Sequence, residues 1–202
     1  MKLSDEQIQL RDWVHDFAAD VIRPVAEEWD EKEEFPYPVV QQAAEIGLYG
    51  WEFMANGMMG DPTGLTMPLA IEELFWGDAG IGMAIMGTGL AAAGIAASGT
   101  PEQLMEWVPQ CYGDEKDLKL GAFAASEPDA GSDVAGYRTR AVYDEATDEW
   151  ILNGTKAWIT NGGIADIHVV VGVVDPELRA KGHASFIVPP GTKGLSQGQK
   201  YK

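Results

Sequence analysis

Apolar positions recur at helical spacing along the first half of the chain and at strand spacing along the second. Leu10, Trp13, Val14, Phe17 and Val21 follow one helix face. Ser4 and Gln7 ahead of them have capping-box spacing, with Leu3 and Ile8 placed as a hydrophobic staple. Pro24 is expected to kink or end this helix. The acidic run from Glu27 to Glu34 reads as a solvated stretch closed by the breakers Pro36 and Pro38. A second helix is predicted from Pro38 to Ile46, stopped by Gly47, and the Gly- and Met-rich EFMANGMMGDPTGLT that follows reads as a loop. From Met67 to Ser98 the chain is apolar almost all round, which predicts two buried helices parting near Gly77 to Gly80. Thr100 and Pro101 have the chemistry of an N-cap and first helical residue.

After Asp114 the pattern shortens to strands. LKLGAFAAS, RTRAVYDE, EWILNGTKAWIT, IHVVVGVV and ASFIVPP are rich in β-branched and aromatic residues and punctuated by Gly, Asp, Asn and Pro. Helices first and strands later predict an α+β fold with segregated layers: a helical domain over 1–115 and a β-domain over 116–202. No GxGxxG follows a strand, so no Rossmann site is indicated.

Composition narrows the partners. The formal net charge is −18, which argues against nucleic acid as a partner and leaves any bound phosphate to local donors and a few local cations. No apolar run is expected to cross a bilayer, no signal-peptide pattern opens the chain, and Cys111 is the only cysteine; a soluble intracellular protein in a reducing compartment is expected. No metal site is indicated.

Two segments carry candidate chemistry. FAASEPDAGSDV, from Phe123 to Val134, leaves a strand and enters a loop with Gly131 and the small hydroxyls Ser126 and Ser132. Such a loop presents amides and hydroxyls to a polar ring edge or a pyrophosphate; an ordinary tight connection between strands has the same look. NGTKAWITNGG, from Asn153 to Gly163, opens on a hairpin-turn dipeptide. In the strand predicted after it, Lys156, Trp158 and Thr160 share one face and Ala157, Ile159 and Asn161 the other. An indole and a hydroxyl two residues apart can cover a planar heterocycle and bond its edge; the alternative is a tryptophan packed in the sheet core.

Taken together and in this order, SEPDAGSDVAG and LNGTKAWITNGG resemble the acyl-CoA dehydrogenase family, and IEELFWGDAGIGMAIMGTGL looks like that family's central buried helices. The resemblance runs over essentially the whole chain. It implies a helical N-terminal domain followed by a small antiparallel, barrel-like β-domain, incomplete here at its C-terminal end. It implies FAD as cofactor, with the backbone from Phe123 through Ala124 and Ala125 to Ser126 at the flavin's pyrimidine edge and the Ser126 hydroxyl bonded to the ring. Gly131 and Ser132 would lie near a pyrophosphate or the CoA portion, Trp158 and Ile159 beside the isoalloxazine, and Thr160 near N5. Asp129, where many relatives have Gly, is expected to point into solvent. Met83, Met86 and Gly87, with Gly82 and Gly89, would line an acyl pocket roomy enough for a longer or bulkier acyl group; the alternative is that the glycines only let helices pack closely.

The implied reaction is α,β-dehydrogenation of an acyl-CoA thioester, with electrons passed to an electron-transfer flavoprotein. The family's base lies in a C-terminal helical domain that this sequence does not include. Glu127 is read as a loop residue and Glu72 and Glu73 as packing or surface residues, so the catalytic base is unassigned. The chain alone is expected to be inactive: part of a longer polypeptide, half of a split enzyme completed by a second polypeptide, or a non-catalytic binding subunit. Homo-oligomers are usual in the family, in bacterial cytoplasm or the mitochondrial matrix. The other chemistries open to the fold are those of an acyl-CoA oxidase or a flavin monooxygenase.

Overall fold

Ser4 closes the capping box that its spacing predicts. Its Oγ accepts from the Gln7 amide at 3.2 Å, and Gln7 Oε1 accepts from the Ser4 amide at 3.0 Å. The structure, a computed structural model, describes residues 2–200, without the side chains of Met58 and Met59. Helix α1 spans Asp5–Phe17. Pro24 kinks the path and does not end it: a π-helical turn, Ala18–Ile22, and a 3-10 turn, Arg23–Val25, lead into α2, Ala26–Lys32. Proline has no amide to return to the carbonyl a turn earlier, so the hydrogen-bond ladder changes pitch around it.

Helix α3, Tyr37–Glu45, stops before Gly47, whose φ of 82° is the left-handed conformation that ends helices. The segment expected to be a loop is helical over its first part, as α4, Trp51–Met59. Gly57 is there for close packing, since a Cβ would fall 2.2 Å from the Met67 sulfur. The turn after α4 is organised by Asp61. Its carboxylate accepts from the hydroxyls of Thr63 and Thr66, from the amides of Thr63, Leu65 and Thr66, and from Gln7 Nε2 on α1. These bonds, the hydroxyls foremost, hold its pKa below the ordinary carboxylate value. Helices α5 (Thr66–Gly77) and α6 (Ala79–Met86) part at Asp78, which caps α6 through the Ile81 amide at 2.8 Å. Helices α7 (Thr88–Ala96) and α8 (Pro101–Tyr112) follow, the second opened by a reciprocal Thr100–Gln103 cap.

The chain divides into two compact units, residues 2–89 with 112–118 and residues 90–111 with 119–200. In the first, Val14, Ala18 and Ile22 are fully buried, as are Ala70 and Leu74 of α5. Gly77 lets the elements meet, because a Cβ there would stand 3.0 Å from Ala18 and Ile22. Tyr49 and Thr88, both buried, share a 2.9 Å hydroxyl hydrogen bond. The Ala79–Ala96 stretch does have the length and composition of a membrane span, contrary to expectation; 56% of it is buried inside the protein, as in a core helix.

The second unit carries the sheet. Its strands are β1 (Gly121–Ala124), β2 (Arg140–Asp144), β3 (Glu149–Asn153), β4 (Ile167–Val173) and β5 (His183–Val188). The order is β1-β4-β2-β3, with β5 on β4. The expected α+β layering holds, but the expected antiparallel barrel is corrected to a mixed, open sheet. Strand β4 runs antiparallel to β5 but parallel to β1, Gly121 facing Ile167, and to β2 at Arg140–Val173. Among the described residues no pairing joins β3 back to β1 or β5. Parallel neighbours need a long crossover, and the 42 residues between β1 and β4 provide it. The first candidate segment starts in β1 and from Ala125 onward lies in that crossover, as does the whole of the second. Under it, Gly94 of α7 receives the Phe123 ring, 2.9 Å from where a Cβ would sit, and Gly121 lies against Ala91 and Cys111.

Candidate functional site

The two candidate segments meet where β1 runs out. Beyond Ala124, the Ala125 carbonyl accepts from Lys156 Nζ at 2.8 Å, and the Ser126 carbonyl accepts from the Ala157 amide at 3.0 Å. Stretches some thirty residues apart in sequence therefore run side by side. Among the described residues strand β1 ends the strand order, with β4 on one edge.

The second segment reaches this place by a route its pattern does not predict. Asn153-Gly154 is not the hairpin turn. The β2–β3 turn lies at 145–148, Asn153 pairs with Arg140 inside the ladder, and Gly154 leaves the sheet. Gly154 is needed for contact: a Cβ would stand 2.6 Å from Thr139 Cα and 2.4 Å from its hydroxyl. The strand ends at Asn153, so residues 154–160 are irregular and two-residue alternation does not set their faces. Trp158 has φ 57° and is 61% exposed. A bulky residue held left-handed costs about 1–2 kcal/mol, and an indole left in solvent forgoes burial that a core would supply.

Thr160, exposed, opens a tight turn at 160–164. Two side chains anchor it: Asn161 Nδ2 donates to the Gly121 carbonyl at 3.1 Å, and the buried His168 donates from Nε2 to the Gly162 carbonyl at 3.0 Å. Asn161 itself takes the left-handed φ of 61° that asparagine tolerates. Of the other predicted contacts, Ala124 is buried, Phe123, Ala125, Ser126 and Ile159 are half-buried, and Gly131 and Ser132 are exposed. Asp129 is exposed and pairs with Arg138 at 3.2 Å.

Met83, Met86 and Gly87 lie in the first unit, Met83 exposed, Met86 half-buried and Gly87 buried. Gly82 and Gly89 face side chains and not open space: a Cβ would stand 2.7 Å from Phe75 and 2.8 Å from Met54, respectively. Those two glycines serve helix packing, which removes their support for a roomy cavity. Glu73 pairs with His15 at 2.7 Å and Glu72 is exposed. Cys111 is buried and its thiol is pushed up to about 12 by burial, so it is no nucleophile.

Sequence reasoning missed the residues that organise the place. Glu127 is 5% exposed. Its carboxylate accepts from the Arg138 amide at 2.6 Å, the Thr139 amide at 2.9 Å and Lys156 Nζ at 2.8 Å. Burial pushes this carboxyl up, but the bonds from Lys156, Thr139 and Arg138 together outweigh it and hold the pKa at about 2. Lys156 reaches two oxygens, Ala125 O and Glu127 Oε1, and lies 4.6 Å over the Tyr137 ring. Three of the chain's five arginines, Arg138, Arg140 and Arg179, line one cleft of about 380 Å³ with Tyr137 and His183, and no acidic residue lines it. Arg138 and Arg140 are legible as an alternating pair; Arg179 and His183 arrive from forty residues away without a local signal.

Residues 4–115 match the family description "Acyl-CoA dehydrogenase, N-terminal domain", and residues 122–202 match "Acyl-CoA dehydrogenase, middle domain". The short-chain-specific acyl-CoA dehydrogenase of Clostridium acetobutylicum is 36% identical over 202 residues, covering 98% of this chain and 51% of that protein. Butyryl-CoA dehydrogenase from Megasphaera elsdenii superposes with a TM-score of 0.84 at 33% identity, covering 100% of this chain and 53% of that one. A glutaryl-CoA dehydrogenase from Mycobacterium smegmatis, in complex with FADH2, gives 0.82 at 31% identity, covering 99% and 49%. The chain thus spans about half the length of the relatives it matches. On the strength of both domain matches and of the segments that meet at Ser126 and Ala157, the chain belongs to the acyl-CoA dehydrogenase family, a family of oxidoreductases.

Proposed function

We propose that this chain supplies the helical and middle portions of a FAD-dependent enzyme that dehydrogenates an acyl-CoA thioester to the trans-2-enoyl-CoA. The observation that carries the reading is the Ser126 O to Ala157 N hydrogen bond, 3.0 Å, which puts the amide- and hydroxyl-bearing stretch beside the indole-bearing one. The residues present fit a flat, polar-edged ring: the end of the edge strand β1, half-buried Ser126, and an exposed Trp158 fixed in a left-handed conformation. When bound, FAD would take up the hydride removed from the acyl β-carbon.

The chain's own residues would position and polarise. The backbone from Phe123 to Ser126 and the Ser126 hydroxyl would meet the ring's edge, and Trp158 with Ile159 would cover its face. The Thr160 hydroxyl would donate where negative charge builds up during reduction. Gly131 and Ser132 leave room for a pyrophosphate. The cleft of Arg138, Arg140, Arg179 and His183 suits the phosphates of CoA, the local cations that a chain of net charge −18 needs to hold such a group. The catalytic base, the rest of the FAD site and the contact with an electron-transfer flavoprotein would come from outside these residues, through the remainder of a longer chain, a second polypeptide or another copy.

Fluorescence titration of FAD with the purified chain tests this reading. Saturable quenching is expected, weakened at least about tenfold in Trp158→Ala, where the stacking surface is gone. Equal quenching by both proteins, or none by either, counts against it.

A further inference from the structure

The Glu127–Lys156 pair stands apart from the residues proposed to touch ligand, yet it is tied to both candidate segments and to the start of the arginine-bearing run. Its lysine holds Ala125 O, directly before Ser126; the next residue, Ala157, donates to Ser126 O. Its carboxylate holds the amides of Arg138 and Thr139, at the start of the run that lines the cationic cleft. Between them the Tyr137 ring takes the Lys156 ammonium on one contact and stacks on His183 of the cleft at 5.4 Å. Both charged side chains are at most 10% exposed. A buried ion pair is seldom the most stabilising choice at a position, because desolvation offsets much of the attraction. What this one adds is fixed direction: three backbone groups, Ala125 O and the amides of Arg138 and Thr139, converge on two side chains that also bond each other.

We propose that Glu127 and Lys156 are positioning residues, a buried clamp that sets the ring-facing stretches and the arginine cleft at one fixed spacing. The proposal rests on the flavin and CoA reading for its ligands but not for its geometry. Neither residue is a catalytic residue, since each acts through Ala125, Ser126, Arg138 and Thr139.

The test is the double variant Glu127→Gln/Lys156→Met in the full chain. Gln keeps an acceptor for the two amides and Met keeps the lysine stem's volume, so no buried charge is left unpaired. Two readouts are taken besides thermal unfolding. Amide hydrogen exchange at Ala157 needs no ligand: it is expected to speed up at least about tenfold, while Val169 in the β4 core keeps its protection. Affinities for FAD and for CoA are expected to fall together by roughly tenfold or more, as misplaced groups lose alignment, with Lys156→Arg retaining most of both. Wild-type exchange at Ala157 in the double variant overturns the clamp. Parallel loss of protection at Ala157 and Val169 also overturns it, because that is the mark of a purely structural pair. If the unmodified chain binds neither FAD nor CoA, the functional reading fails, and the exchange result alone still decides the clamp.

Discussion

Replacing Glu127 with alanine is expected to lower the unfolding free energy of the sheet-bearing unit by about 3–5 kcal/mol, the usual cost of leaving one buried charge without its partner. The substitution strands the Lys156 ammonium with Ala125 O as its remaining hydrogen-bond acceptor, and it leaves the amides of Arg138 and Thr139 without the carboxylate that accepts from them. Urea unfolding at neutral pH measures the loss. The same carboxylate sets an acid limit. Its pKa is depressed in the folded chain, from 4.5 to about 2, so its contribution is complete above 4.5 and disappears as the pH falls through about 2. That shift corresponds to roughly 3 kcal/mol. Across this window the unmodified chain should lose about that much more stability than Glu127→Gln. Parallel pH profiles for the two proteins would mean that the carboxylate is not held as its hydrogen bonds indicate.

The second large effect belongs to Gly154. Alanine there would place a methyl 2.6 Å from the Thr139 Cα, a backbone atom that cannot rotate away. The expected cost is about 2–3 kcal/mol, at the upper end for overpacking a tight contact. The relief would have to separate residues 139 and 154, drawing the Thr139 amide off Glu127 and the 155–157 segment off Ala125 and Ser126. Two outcomes are therefore linked: a lower melting temperature and weaker quenching of FAD. A stable Gly154→Ala protein with unchanged quenching would show that the two stretches are held together by something else.

How far the chain announced itself in its sequence differs from element to element, for physical reasons. Caps are short-range chemistry, and Ser4 with Gln7, Gly47 and Thr100 with Gln103 are where their residue types place them. Strands β3, β4 and β5 begin within a residue of their predicted runs, whereas β1 and β2 begin two to three residues later than theirs. Helix α4 hid behind its glycine, because Gly57 answers to Met67 across a packed interface and not to a turn. The parallel pairing of β1 and β4 hid because period-two alternation is the same for parallel and antiparallel neighbours. Asn153-Gly154 misled for a related reason: the glycine is required by Thr139, a contact that no local window contains. At the site, the motif residues Ser126, Trp158 and Thr160 could be picked out in advance. The side chains that hold them, Glu127, Lys156, Asn161 and His168, could not. Their roles are defined by partners up to forty residues away, and a buried Glu in a loop looks like an exposed one until its donors are known.

The central claim is that the stretches around Ser126 and around Trp158 and Thr160 form one surface for one flavin ring. A crystal structure of the chain soaked with or grown in FAD tests it most directly. The account predicts the isoalloxazine within contact distance of both stretches, its edge against Ser126 and Thr160 and its face beside the Trp158 indole. A ring bound by only one stretch, or seated elsewhere on the chain, would contradict it.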